Sequence, residues 1–353
     1  MRVLYIGDAA DKNIKDGGAY GRIRNRRMLC SLFDSIDIIE VPKISYLKHL
    51  KNVILGKSYG HTRQVWRNIK RSFSKNYDLI FFDGSLWGDY VKEYNKRGKK
   101  VVVFYHNVEF DYYETKYRSK KNLINLILKK YVRFNERLST LYSNKRILLN
   151  ERDSNRLKEI YKCAGDMILP IMYKQINNLE KNSHYLSKYP YLLFVGSNFC
   201  SNNEGICWFI ENVSSNIKIN LHVVGSCCSA IKDRIDIDNY PNVQLLGFVE
   251  DLDKEYKEAV GVVCPIFTGS GMKTKTIEAL RYGKTIFGTS EAFMGVEGDY
   301  NKIGGLCNTV HEFLEAINHM KYDTYNNYSM ETFKKYYSED VVYPKFKHFL
   351  ESI

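Results

Sequence analysis

Apolar residues along this chain gather into short runs, and between the runs they return every three or four positions. A short apolar run bounded by polar residues reads as a buried strand, and the three-to-four spacing reads as one face of a helix. In the first half, strands are predicted at 3–7, 35–41, 78–82, 101–105 and 146–149. Helices are predicted at 17–33, entered through a glycine loop, at 120–142, which is rich in lysine and leucine, and at 152–161. The stretch 173–190 is polar and aperiodic, with Asn177, Asn178, Asn182 and Ser183, so the interdomain linker is expected there. A second series follows, with strands at 191–195, 219–224, 243–246, 260–264 and 285–287 and helices at 203–213, 229–235, 251–258 and 274–282. Strands that alternate with helices predict parallel, doubly wound sheets, one in residues 1–187 and one in 188–325. In such sheets ligands bind beyond the carboxyl ends of the strands, and two of them facing each other would form a cleft. The last stretch, 326–353, reads as helical segments broken at Pro344. No internal repeat and no low-complexity tract interrupts this order.

One of these strand-to-helix transitions carries chemistry. The apolar run Val260-Gly261-Val262-Val263-Cys264-Pro265 passes through Gly269-Ser270-Gly271-Met272 into a helix that starts with Lys273-Thr274-Lys275 and continues through Glu278 to Gly283-Lys284. A glycine turn opening a helix is an anion site, because free backbone N–H groups and the positive helix end face the same point. Lysines there oppose the helix dipole, so Lys273 and Lys275 ask for a bound anion such as a diphosphate. Glu278, one turn on, has the spacing to accept hydrogen bonds from ribose hydroxyls. The pattern reads as a nucleotide-sugar site.

The 353 residues suffice for two domains with their own cores, and 44% apolar with 26% charged residues is the balance of a globular protein. No apolar run reaches the roughly 20 residues of a membrane span, and the chain enters its first strand without a signal peptide, so a cytosolic location is expected. The eight cysteines lack paired metal spacing and read as idle thiols. Asp236-Ile237-Asp238 and Asp251-Leu252-Asp253 have a manganese-binding spacing, but Asp251 stands where a helix needs an N-cap and Asp236 beside a loop, so no metal is expected. Asn212-Val213-Ser214 and Asn327-Tyr328-Ser329 fit the glycosylation pattern and carry no weight in a cytosolic chain.

The net charge of +13 is unevenly spread. Residues 1–187 hold 37 Lys+Arg against 19 Asp+Glu, a net of +18, while the remainder holds 16 against 21, a net of −5. Fields of that size draw anions to the first half alone: an anionic bilayer, a lipid pyrophosphate or nucleic acid, unless the lysines merely form a solvated surface. The bases and apolar residues of Lys43 to Lys57 resemble an amphipathic membrane-surface segment, with a core helix bearing a basic outer face as the alternative.

The order strand, Gly-Ser-Gly, basic-x-Lys, Glu-Ala-Leu-x-x-Gly-Lys, strand, then Gly295-Val296-Glu297-Gly298 resembles the donor site of retaining glycosyltransferases of family 4. Phe194-Val195-Gly196-Ser197, Leu221-His222-Val223-Val224-Gly225 and Val243 to Val249 fall in the order that family shows. The resemblance implies a GT-B fold of two Rossmann-like domains facing each other across a cleft, with the tail crossing back onto the first domain. It implies a nucleoside diphosphate sugar as co-substrate, UDP ahead of GDP, held by Gly17, Gly18, Gly196, Ser197, Phe248, Val249, Ser270, Gly271, Met272, Lys273, Thr274, Lys275 and Glu278. His106, Lys273 and Glu278 are then the expected catalytic residues, with His106 near the transferred sugar. Arg22 is the expected acceptor-side arginine, its neighbours Arg24, Arg26 and Arg27 being solvated, and Glu109 and Asp111 are expected in the loop after His106 as acceptor base or binder. The sequence departs from the family at Ser270, where many members carry a glutamate eight positions before the one matching Glu278; a serine cannot hold charge opposite an oxocarbenium ion. The expected activity is metal-independent, retaining sugar transfer to an anionic lipid-linked glycan of a bacterial surface polysaccharide, O-antigen or capsule. It is placed peripherally on the inner face of the cytoplasmic membrane, without nucleic acid. The rivals are a GT-B sugar-nucleotide epimerase, which needs acidic residues in the cleft, and a non-catalytic basic module that binds nucleic acid.

Overall fold

The computed structural model describes residues 1–9, 17–177, 179, 189–269 and 271–353, and side chains in the first helix from Gly21 onward. The chain divides into two compact units: Met1–Leu169 with Lys345–Ile353, and Pro170–Pro344. In the first unit the order is β1 (Arg2–Asp8), α1 (Gly17–Leu32), β2 (Ser35–Val41), α2 (Tyr46–Ile54), α3 (Arg63–Ser72), β3 (Leu79–Phe82), α4 (Gly88–Asn95), β4 (Val101–Tyr105), α5 (Glu109–Ser119), α6 (Leu123–Tyr142), β5 (Lys145–Leu148), α7 (Glu151–Tyr161) and β6 (Met167–Ile168). The strands form one parallel sheet in the order β2-β1-β3-β4-β5-β6, with Val3 paired to Ile36 on one side and to Leu79 on the other. Every residue of β3 and β4 is buried. These are the unbroken apolar runs of the sequence, and they are unbroken because helices cover both faces of a parallel sheet.

The second unit continues with β7 (Tyr191–Val195), α8 (Cys200–Asn212), β8 (Asn220–Val224), α9 (Cys227–Lys232), β9 (Val243–Gly247), α10 (Leu252–Glu258), β10 (Gly261–Cys264), α11 (Thr274–Arg281), β11 (Ile286–Gly288), α12 (Tyr300–Ile303), β12 (Gly304–Leu306), α13 (Val310–Asn318), α14 (Asn327–Tyr336) and the start of α15 (Glu339–Glu351), whose residues from Lys345 on belong to the first unit. Its sheet, also parallel, runs β12-β11-β10-β7-β8-β9. Strand order reverses between β1 and β3 in the first sheet and between β7 and β10 in the second, and a doubly wound sheet opens its ligand crevice at such a reversal. Lys284, buried to 1%, ties the second unit together by donating to the carbonyls of Lys257 and Ala259, each at 2.9 Å, and of Thr324.

The structure corrects several expectations. The units divide at Leu169 and Pro170 rather than near 187, because the chain after Leu169 already packs on the second unit: Tyr173 N–H donates to Tyr337 O at 3.1 Å and Glu339 N–H to Tyr173 O at 3.0 Å. The tail does not leave as a block at 326. Helix α14 stays with α11 and α12, and only Lys345–Ile353 groups with the first unit, where Phe346 is buried against Phe81. Pro344, the sixth residue of α15, does not break the helix, although having no N–H it leaves the carbonyl of Asp340 without its helical donor. The segment predicted as one helix from 120 is preceded by another, α5, and Asn122 caps the second by accepting from Asn125 N–H at 2.8 Å.

Candidate functional site

In the second unit, β10 ends at Cys264 and the chain turns through Gly271, whose φ of +69° suits glycine, into α11. Among the described residues no side chain caps this helix start, and no acidic residue stands in its first turn; Thr276 N–H turns back to Lys273 O at 3.1 Å, which leaves the N–H groups of Thr274 and Lys275 for an anion. Lys275 projects from that turn to the strand reversal. Its ammonium donates to Asn202 Oδ1 at 2.6 Å and lies 4.3 Å above the Phe194 ring of β7. Asn202 in turn donates to the carbonyl of Ser197 at 3.0 Å and to its hydroxyl at 3.3 Å. Lys275 forms no ion pair with a carboxylate among the described residues, and burial pulls its ammonium down to about 8. A half-buried cation held by an amide and an aromatic face, beside an uncapped helix start, is a receptor for negative charge.

Gly196 and Gly225 make the neighbouring strand ends fit. A Cβ on Gly225, at φ +109°, would stand 2.2 Å from Gly196 O, and one on Gly196 would stand 2.7 Å from the Phe194 ring. The backbones of the β7 and β8 loops therefore run against each other, and Gly196 N–H donates to Val224 O at 2.9 Å.

The other residues expected at this site divide. Lys273 is not an unmatched cation: it donates to Glu291 at 2.7 Å and to Gly271 O at 2.8 Å, so the dipole argument that asked for an anion is met by a carboxylate of the chain. Glu278 accepts from the Tyr256 hydroxyl at 3.3 Å, and burial raises its carboxyl above the usual range. Met272 is buried and Thr274 half-buried. Phe248 stands 86% exposed beyond β9, two strands from β7, with Val249 half-buried beside it. Ser270 lies outside the described residues. Asp251 caps α10 by accepting from Lys254 N–H at 2.9 Å, and Asp253 accepts from the Tyr282 hydroxyl, so both carboxylates of that triplet have partners in the fold.

The first unit holds a second cluster at the carboxyl ends of β1, β3 and β4. His106 directly follows β4, and its Nε2 lies 3.0 Å from Asp83 Oδ1, the residue directly after β3. Asp83 has no exposed side-chain surface. It accepts from Asn25 Nδ2 on the same oxygen and from the Tyr5 hydroxyl on the other, each at 2.6 Å. Burial would raise this carboxyl, but the imidazole of His106 and the three hydrogen bonds hold it below the usual range. On the other side of the ring, a Cβ on Gly21 of α1 would stand 3.3 Å from His106 Nδ1. Arg22 reaches Asp8 at 4.0 Å, and burial raises the carboxyls of Asp8 and Glu109.

Three expectations for this unit are corrected. Glu109 and Asp111 occupy the first turn of α5 rather than a loop, because buried Glu136 accepts from the N–H groups of Glu109 at 2.8 Å and Phe110 at 3.2 Å and so starts the helix early. Asp111 is there bound to Arg156 through contacts of 2.9–3.0 Å. Arg24, expected in solvent, is 2% exposed, bonds Asn25 and lies over the Phe104 ring. Gly17 and Gly18 open α1 rather than forming the loop before it; residues 10–16 lie outside the described ones.

Asn202, Glu291 and Asp83 are not singled out by the sequence, and Phe194 enters there only as the first residue of a strand-end motif. Asp83 was legible by the strand-end logic that selected His106. Glu291 sits three residues beyond β11, where the same logic reaches. Asn202 gave no signal, being one asparagine of a polar helix start.

Residues 189–321 match the sequence profile described as Glycosyl transferases group 1. The matched stretch lies within the second unit. A Klebsiella pneumoniae protein described as an uncharacterized 44.6 kDa protein in the cps region is 23% identical, covering 84% of each chain. Among solved structures, the lipopolysaccharide outer core galactosyltransferase WaaB in its apo form is similar at a TM-score of 0.63 and 12% identity, covering 100% of this chain and 99% of that one. Anabaena HepE in complex with UDP is similar at 0.64 and 12% identity, covering 100% of both. The fold is GT-B, two Rossmann-like domains with parallel sheets.

Proposed function

We propose that this protein is a glycosyltransferase that moves a sugar from a nucleoside diphosphate, UDP ahead of GDP, to a glycan acceptor with retention at the anomeric carbon. The observation that carries the reading is Lys275, a half-buried cation without a carboxylate partner among the described residues, set at the strand reversal beside an uncapped helix start. As the glycosidic C–O bond stretches, negative charge grows on the leaving diphosphate. Lys275 and the open N–H groups of α11 stabilise that charge, and removing such a donor raises the barrier by roughly 3–4 kcal/mol. The acceptor hydroxyl attacks on the leaving-group face and a phosphate oxygen takes its proton. Glu278 holds the ribose, His106 the sugar, and no metal is used. Retention, the lipid-linked acceptor, a place in O-antigen or capsule synthesis and a peripheral position on the inner membrane face belong to this proposal. It is supported by the match of residues 189–321 to Glycosyl transferases group 1, the cps-region relative and the fold shared with WaaB and with UDP-bound HepE.

A second reading, a sugar-nucleotide epimerase, is favoured by one observation: Asp8, Asp83 and Glu109 gather carboxylates around His106. Thermal shift with UDP, GDP, dTDP and their sugars, followed by product analysis, decides. Stabilisation by UDP and a lengthened glycan are expected. An epimerised nucleotide sugar supports the second reading, and indifference to every nucleotide refutes both.

A further inference from the structure

The first unit exposes an apolar surface that neither candidate site uses. Along α6, the exposed residues Leu123, Ile127, Lys130, Phe134, Arg137 and Leu141 follow one another at steps of four, three, four, three and four. They therefore share one face. Four of the six are large and apolar, from 40% to 71% exposed, and Ile124 adds to them at 54%. Helix α2 repeats the design, with Tyr46, Leu47, Leu50 and Ile54 exposed and Lys48 and Lys51 beside them. The two helices are one surface. Val53 of α2 is buried with Tyr131 and Val132 of α6, Tyr131 donates to Lys57 O at 2.8 Å, and a Cβ on Gly56 would lie 3.8 Å from the Phe134 ring.

An exposed apolar surface of this kind marks a partner, and the charge selects which one. Residues 41–77 contain nine Lys and Arg and no acidic residue, and residues 115–135 contain seven and none. A second copy would set these charges against each other. Nucleic acid would meet the charges but leave leucine and isoleucine in water, where aromatic stacking faces are what bases use. An anionic bilayer satisfies both, taking aliphatic side chains below the headgroups and lysines and arginines among them.

We propose that the joined faces of α2 and α6 are a membrane-docking surface that inserts Leu123, Ile127, Phe134 and Ile54 into an anionic bilayer. This deepens the membrane part of the function proposed above and rests on that reading only for its biological purpose, because the exposed residues of the two helices are not among those that form the Lys275 and His106 clusters. Each basic residue near an anionic surface adds about 1 kcal/mol, roughly fivefold in binding.

The full chain is sedimented with phosphatidylcholine vesicles, with and without 30% phosphatidylglycerol, at low and high salt. Ile127→Ser/Phe134→Ser and Lys130→Gln/Arg137→Gln variants are compared with the unaltered protein, with circular dichroism and UDP thermal shift measured on each. The unaltered protein is expected to bind anionic vesicles, and less at high salt. Either double variant should bind at least tenfold more weakly with its UDP shift intact. Equal binding to both lipid mixtures, no binding to either, or variants that bind as the unaltered protein does would overturn the surface. So would a dimer in light scattering that Ile127→Ser/Phe134→Ser dissolves, since a second copy would then be the occupant. Lost vesicle binding with UDP retained leaves the transferase reading standing, whereas retained vesicle binding without any UDP response removes that reading and keeps this one.

Discussion

Replacing Lys275 with methionine should stabilise the unliganded protein and weaken its hold on UDP. Burial lowers the ammonium from 10.5 to about 8, so holding the charged form inside the fold costs about 3 kcal/mol at 1.36 kcal/mol per pK unit. Lys275→Met removes that cost. It also forfeits the hydrogen bond to Asn202, about 1 kcal/mol, and the contact with Phe194, about 0.5–1 kcal/mol. The net gain at pH 7 is about 1 kcal/mol. The pH dependence fixes the sign. Between about pH 8 and pH 10.5 the unfolded chain keeps the Lys275 proton that the folded one has released, so stability of the unaltered protein rises with pH across that window. The advantage of the methionine variant is therefore full below pH 8, is lost within the window, and turns into a deficit before pH 10.5, where the unaltered protein no longer bears the cost of the buried charge but keeps its hydrogen bond to Asn202. Because Lys284 is also pulled down, to about 7, only the difference between the two proteins isolates Lys275. A diphosphate favours the charged form, so UDP affinity of the unaltered protein should fall above pH 8, and the variant should lose roughly ten- to a hundredfold at pH 7. Urea unfolding from pH 7 to 10 and calorimetric titration of UDP measure both. A variant less stable at pH 7 whose UDP affinity is unchanged would refute the reasoning.

Two further outcomes are expected. Asp83→Asn should cost about 1.5–3 kcal/mol of stability, since a buried carboxylate accepting from His106, Tyr5 and Asn25 becomes an amide that meets their donors with an NH2; it should also lower kcat more than it changes KM, and a variant with kcat intact would confine Asp83 to the core. Transfer should survive EDTA, whereas loss of activity that manganese restores would return Asp236 and Asp238 to consideration.

The alternation of apolar runs with helical spacing was enough to place both parallel sheets, because a strand covered on both faces must be apolar throughout while its crossover helix need be apolar on one side only. It was also enough to place His106 at a strand end, since a doubly wound sheet presents its ligand edge there whatever the side chains, whereas Gly196 and Ser197 came from the family resemblance. What those residues touch was decided by tertiary structure. Lys273 and Lys275 look alike in sequence, yet Glu291, 18 positions away, neutralises one, and Asn202, 73 positions away, holds the other without charge. Asp83 beneath His106, and Glu136 starting α5 across an interval of 27 residues, arise in the same way. Periodicity reports which face of an element is covered, but a side chain's partner is set by how the elements pack, and so by residues that no local spacing connects. The same holds for the apolar stripe of α6: its spacing is that of any buried helix face, and only the tertiary packing, with α4 and α5 covering other faces of the helix, leaves Leu123, Ile127, Phe134 and Leu141 in the open.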